Sequence, residues 1–292
     1  MAATARALLS TSRMSTMPDL LEPLRYAFVQ RALVAAVLVA LVCASVGVFV
    51  VLRGLAFLGD AIAHAAFPGV VIAFLLKINI VIGGSIAAVA SALAIGAVAR
   101  RSGLKEDTAI GVVFSGMFAV GIVLFSSIRT YTGDLLGILF GDVLGVSADQ
   151  LVLAAITAAI VLVALWVIWR QLVFVSFDPI GAAAAGLNPL RYDTLLLGLI
   201  GLAIAVSVQI VGVVLVVAML VTPAATARLL AQDLRGLVVG ALVVAVASSI
   251  AGIWLSYYVN AASGGTIVLV ATTLFGLVWT VRTVARSRAA AA

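Results

Sequence analysis

Residues 58–69 read Leu58-Gly59-Asp60-Ala61-Ile62-Ala63-His64-Ala65-Ala66-Phe67-Pro68-Gly69, a carboxylate and the chain's one histidine set four residues apart in an apolar run. On a helix, positions i and i+4 share a face and lie about 6 Å apart along the axis. Asp60 and His64 therefore point the same way out of a segment whose other residues suit a lipid or protein interior. An ionisable side chain at mid-membrane depth costs roughly 2.5–3.5 kcal/mol on insertion scales, so one that is kept marks an ion or substrate path by default. The pair reads as half of a divalent-metal site.

The surrounding composition fits that setting. Hydrophobic residues make up 65% of the 292-residue chain and charged residues 10%, and the mean hydropathy is +1.33. Apolar runs of about 20 residues recur along the whole length, and helices are the only open-ended structures that satisfy their own backbone in lipid. A membrane barrel would alternate apolar and polar residues in runs of about ten, and no such alternation occurs. The expected fold is all-α: a polytopic transmembrane helical bundle of eight or nine spans. The formal charge of +6 does not point to nucleic acid. The basic residues punctuate the ends of apolar runs, as cytoplasmic loops do, instead of clustering on one face. The single Cys43 rules out an internal disulfide and suits a small buried side chain.

Residues 1–22 read as a disordered N-terminal extension, 23–286 as the transmembrane domain and 287–292 as a cytoplasmic tail. Within the domain the spans fall near 30–52, 54–76, 80–100, 109–127, 150–170, 192–208, 211–230, 237–258 and 266–284. The sixth and seventh, meeting near Gln209 and Gly212, are either two short spans or one long bent helix. With nine spans, Arg53, Arg100, Arg101, Lys105, Arg170, Arg191, Arg228, Arg235 and the C-terminal arginines share one side, leaving Lys77 and Arg129 opposite. That side is the cytoplasm, and the N-terminus lies outside. Arg6, Arg13, Arg25 and Arg31 run against this arrangement and favour a cytoplasmic N-terminus with eight or ten spans. On an unbroken second span, His64 lies about 16 Å from Arg53, near the middle of the hydrocarbon layer. Pro68-Gly69, one turn further on, loosens that helix and frees backbone carbonyls toward a cavity. Pro68, Gly69, Thr222 and Pro223 are the helix-kink or gate candidates.

Two side chains do not complete a divalent site, since zinc takes about four ligands and manganese about six. No second histidine or cysteine exists, and no other acid lies deep in a span. Asp134, Asp142 and Asp149 fall in a Gly-rich outer stretch, 129–149. A twofold axis through the pore supplies the missing ligands as two Asp and two His from two copies. A dication between the facing carboxylates would also remove their repulsion.

No phosphate-binding G-x-x-x-x-G-K-[ST] loop occurs, so energy from ATP needs a separate subunit and the chain itself is no enzyme. That subunit needs a handle, and 177–190 offers one. Asp178 is a natural N-cap, Pro179 opens the first turn, alanines including Ala183 propagate it, and Gly186 with Pro189 ends it beside Leu187. The result is a short helix that cannot span the membrane.

These residues resemble one family. The carrying strings are Leu52-Arg53-Gly54 leading into Gly59-Asp60-Ala61-Ile62-Ala63-His64-Ala65 with Pro68-Gly69, Lys105-Glu106-Asp107-Thr108-Ala109-Ile110-Gly111, Ile138-Leu139-Phe140-Gly141-Asp142-Val143-Leu144-Gly145, Phe177-Asp178-Pro179 with Gly186, Val216 through Ala227, and Ser263-Gly264. In order and spacing they resemble the permease subunits of binding-protein-dependent ABC importers for manganese, zinc or iron(II). The resemblance implies a type II ABC-importer-like fold in a bacterial inner membrane, a homodimer or heterodimer of permeases, a cytoplasmic ABC ATPase dimer and an extracytoplasmic metal-binding protein. It further implies that Asp60 and His64 of both copies line the metal path, and that Asp178, Pro179, Ala183, Gly186 and Leu187 belong to the coupling helix. Phe67-Pro68-Gly69 is more similar to manganese-type than to zinc-type members, which favours manganese over zinc or iron(II) as cargo.

Two other functions compete. A proton-coupled secondary transporter would use Asp60 and His64 as a relay, but the coupling-helix signature and the lack of further intramembrane acids speak against it. An intramembrane enzyme would need a second acid, or a serine nucleophile paired with His64, and neither pattern is present.

Overall fold

A computed structural model describes residues 22–128 and 143–291. A 3-10 turn at Glu22–Arg25 is followed by α1 (Ala27–Arg53), α2 (Leu58–Ala65), α3 (Phe67–Leu75), α4 (Ile80–Ser102) and α5 (Glu106–Ser126). Then come α6 (Ala148–Phe177), α7 (Pro179–Ala184), α8 (Pro189–Val211), α9 (Val213–Leu230), α10 (Leu234–Val259) and α11 (Ser263–Ala291). With α2 and α3 taken as one segment, the described residues hold nine helical segments long and apolar enough to cross a membrane. The all-α, multi-span expectation holds. Most of the expected extension (residues 1–21) and residues 129–142, with Asp134 and Asp142, lie outside the described residues. Helix α11 runs on through residue 287 to Ala291, where a tail was expected.

Local chemistry sets the helix ends. Asn79, Ser147, Asn188 and Asp233 each accept a backbone N–H in the first turn of the helix they precede, and Ser147 with Gln150 forms a reciprocal capping box. The ambiguity at 192–230 resolves into two helices at Gly212, whose φ of 84° and ψ of 163° define a conformation essentially restricted to glycine. The second span differs from the sequence expectation. Residues 54–57 form an elbow, the helix starts at Leu58, and it is interrupted at Ala66. His64 therefore sits two turns into its own helix, about 9 Å from Leu58, and not on a helix continuous with Arg53.

Helix α1 occupies the centre and packs against α6, α8, α9 and α10, while α8 packs on α4 and α3 on α4. Close backbone approach needs small residues where lipid gives no hydrophobic push between helices. At the α3–α4 crossing, a Cβ on Gly69 would collide with the Gly83 carbonyl oxygen, and a Cβ on Gly83 with that of Gly69.

The ends that positive charge assigns to one side do meet. Arg53 of α1 binds Ser176 of α6 and Asp193 of α8, and Arg228 of α9 donates to the Val51 carbonyl. At the opposite end Tyr26 lies 6.2 Å from Tyr257, and Gln209 of α8 donates to the Val81 carbonyl at the start of α4.

Candidate metal site

Helix α2 is eight residues long, and Leu58, Gly59, Ala61, Ile62, Ala63 and Ala65 are all buried. Only Asp60 and His64 open outward, with side chains 50% and 31% exposed. Their i, i+4 spacing brings His64 Nε2 within 3.5 Å of Asp60 Oδ1. The side chains that tether this helix to the bundle are thus distinct from the pair that faces free space. Gly59 supplies part of the tether, because Leu220 of α9 packs directly over it.

The imidazole is flanked by α5. Phe114 and Phe118, themselves stacked, lie 5.9 and 5.6 Å from the His64 ring, and Phe67 continues the aromatic wall toward Phe125 at 5.8 Å. The wall buries His64 Nδ1, which has no hydrogen-bond partner. The ring nitrogen on the Asp60 side, Nε2, is the one left to a ligand. Among the described residues no cluster of three or more His, Cys, Asp or Glu side chains exists.

Pro68 stands second in α3 and lacks the N–H that an uninterrupted helix would aim at the His64 carbonyl four residues back. The break at Ala66 follows from the Pro68 position, and the carbonyl that loses its partner is that of His64. Pro68 also packs against α5 at Gly121, and Gly69 against α4. Thr222 and Pro223 lie on another helix, α9. Pro223 is buried within it, and the Thr222 carbonyl accepts the Thr226 hydroxyl at 2.7 Å. Their link to the pair runs through Leu220, less than one turn away, on Gly59.

The expected short helix is α7. Asp178 Oδ1 accepts the Gly181 N–H at 2.8 Å, Pro179 opens the first turn, and Gly186 at φ 86° ends it. Leu187 N–H closes back on the Ala182 carbonyl and Gly186 N–H on Ala183, the double bond of a Schellman-type ending. Ala182 is fully buried against the bundle, while Ile180 is 83% exposed and Ala183 is exposed too. One face is anchored and the other is free.

Sequence reasoning missed the aromatic wall and the Arg53 cluster. Phe114 and Phe118, four residues apart, were a readable signal for the first. Arg53 and Asp193 lie 140 residues apart, and beyond sharing a membrane side they carry no mark of contact.

The family described as the ABC 3 transport family matches residues 25–282. The chain is 46% identical over 254 residues to the manganese transport system membrane protein MntC of Halalkalibacterium halodurans, covering 87% of each chain. It is 39% identical over 254 residues to the chelated iron transport system membrane protein YfeD of Yersinia pestis, covering 87% of this chain and 85% of that one. Among solved structures it resembles PsaBC from Streptococcus pneumoniae in complex with Fab, with a TM-score of 0.79, 35% identity and coverage of 89% of this chain and 94% of that one. The resemblance carried by the Asp60/His64 string and its companions is the one found. The chain is a multi-pass integral protein of the bacterial inner membrane, and it belongs to the ABC 3 transport family as a permease subunit.

Proposed function

We propose that this chain is the membrane half of an ATP-driven importer of divalent transition-metal ions, with manganese the favoured cargo and iron(II) or zinc the alternatives. The observation that carries the proposal is the isolation of Asp60 and His64. They are the two polar, outward-facing side chains of an otherwise buried helix, and they supply two of the about four ligands that zinc takes or the about six that manganese takes. Two copies related by a twofold axis supply four side chains, and bidentate carboxylates or water fill the remaining positions of a six-coordinate ion. A nitrogen and carboxylate donor set suits Mn(II), Fe(II) and Zn(II), and the transport names of the relatives support manganese or iron as cargo.

The cycle is alternating access. An extracytoplasmic binding protein releases the ion into an outward cavity, where the Asp60/His64 ring takes it. The break at Ala66 and the glycine crossing of α3 on α4 let the lower half of the span move without melting the upper half. The free face of α7 docks on a cytoplasmic ATPase dimer, and ATP binding there opens the inner side. ATP hydrolysis belongs to that partner, and this chain performs no bond chemistry.

The test is elemental mass spectrometry of cells expressing the chain with its ATPase and binding protein, wild type against His64→Ala. Manganese that rises with the wild type and stays flat with the variant supports site and cargo together. A rise in iron or zinc keeps the mechanism and changes the cargo. Equal accumulation by wild type and variant removes the site assignment.

A further inference from the structure

We infer that Arg53 is a positioning residue that carries movement of α7 to α2, the helix holding Asp60 and His64; the inference rests on α7 acting as the coupling helix. Arg53 is the last residue of α1, and its guanidinium reaches two other helices at once. Nη1 donates to Asp193 Oδ1 at 2.7 Å, while Nε and Nη2 donate to Ser176 Oγ at 3.2 and 2.9 Å. Ser176 closes α6 two residues before Asp178, the cap of α7, and Asp193 lies in the second turn of α8, which leaves α7 on its other side. One side chain thus grips both stems of the hairpin that presents α7.

The backbone of Arg53 continues the path toward the ion. Leu55 N–H bonds to the Val50 carbonyl, Leu58 N–H to Leu55 and Ala61 N–H to Phe57, at 2.9, 2.9 and 3.0 Å. The elbow is therefore bonded back to α1 at one end and forward into α2 at the other, with Asp60 in the first turn beyond it. Arg228 ties the last turn of α1, just before the elbow, to α9 through the Val51 carbonyl. Side chains of Arg53, Asp193, Leu55 and Leu58 surround a cavity of about 40 Å³, so this junction has space in which to repack.

Capping of α1 does not explain the arrangement. Helix α1 is already closed by Gly54, whose N–H bonds to the Val50 and Val51 carbonyls, so the guanidinium is not needed to end it. The Arg53 and Asp193 side chains are 18% and 34% exposed, which leaves their attraction less screened than that of a surface pair. The planar fork is also specific. An ammonium in the same place holds Asp193 as a point charge and cannot bind Ser176 along a second edge.

The test is hydrogen–deuterium exchange on the assembled complex with its ATPase, with and without a non-hydrolysable ATP analogue, in wild type, Arg53→Ala and Arg53→Lys. In wild type, nucleotide changes exchange in 178–187 and in 54–61 together. In Arg53→Ala the change in 178–187 remains and the change in 54–61 disappears, with Arg53→Lys between them. Manganese imported per ATP falls about ten-fold in Arg53→Ala, within the usual span of coupling free energies, while hydrolysis continues. An elbow that still responds in Arg53→Ala overturns the inference. An α7 that ignores nucleotide in wild type overturns the coupling-helix assignment and this inference with it. If the elbow loses its response as described but wild type moves no manganese, iron or zinc, Arg53 keeps its role and the proposed cargo falls.

Discussion

Helix α1 and the α2–α3 segment are both deeply packed membrane elements, and they are built on opposite plans. Helix α1 runs 27 residues without a break, and from Ala32 to Leu52 it has no carboxylate, imidazole or cation. The α2–α3 segment is interrupted at Ala66 and carries Asp60, His64 and Pro68. Burial alone does not distinguish a scaffold from a site. The distinction lies in what burial leaves over: α1 spends its surface on neighbours, whereas α2 buries six of eight residues and turns two polar ones outward. Substitutions that overpack the interior of α1 should therefore remove the protein, and substitutions of the outward pair on α2 should remove transport from a protein that persists.

The largest effect is expected at Gly47. A Cβ there would overlap the backbone carbonyl of Leu220 on α9, and a backbone atom cannot step aside as a flexible side chain does. Gly47→Val should cost at least about 3 kcal/mol, the upper part of the overpacking range, and leave little folded complex on size-exclusion chromatography. Recovery of normal amounts of folded complex would show that α1 and α9 have slack that their contact does not suggest.

Next come Asp60→Ala and His64→Ala. Each should reduce metal uptake by more than the about 10–100-fold typical of losing a mere outer partner of a metal ligand. Thermal stability should change little, because both side chains are partly exposed and such a pair contributes only about 0–1 kcal/mol. A large fall in melting temperature would place the pair among the structural elements and erase its contrast with α1.

How much of this contrast could be read in advance follows from the physics of each feature. The spans, the shared side of Arg53, Asp193 and Arg228, the pair on one face and the short helix at 179–184 rest on composition, periodicity and capping, all local properties of the chain. The elbow at 54–57 was missed because Leu55 and Phe57 continue the apolar run, although Gly54 after Arg53 carries the signal of a helix end. The Arg53 grip on Ser176 and Asp193 depends on how three distant helices pack, and no local pattern encodes it. Pro68 was legible as a disturbance, but its effect on the His64 carbonyl needed the register of the break.

Pro68→Ala tests whether that break is functional. Alanine restores the donor aimed at the His64 carbonyl and relieves a proline placed inside a continuous span, which is worth up to about 3 kcal/mol in a helix interior. Since Pro68 already sits near the start of α3, where proline is tolerated, the gain in stability should be well below that limit. Uptake should fall several-fold, because a stiffened α2–α3 segment resists the bend that opens the path. A variant both more stable and equally active would make the break incidental.

Cys43→Ala should have the smallest effect, and it bears on α1. Cys43 is fully buried, and its thiol donates to Ser207 Oγ of α8 over 3.7 Å, a weak bond between two scaffold helices. Without its partner, the Ser207 hydroxyl can turn to the carbonyl one turn earlier in its own helix, so no polar atom is stranded. The loss is then one sulfur's packing beside a cavity of about 10 Å³ that Ser207 already lines, or about 1 kcal/mol and a melting temperature lower by a few degrees. Uptake per folded complex should be unchanged. If it falls instead while folding is intact, the α1–α8 contact moves during transport. The scaffold would then be part of the machine, and the division between α1 and α2 would have to be drawn by motion and no longer by chemistry.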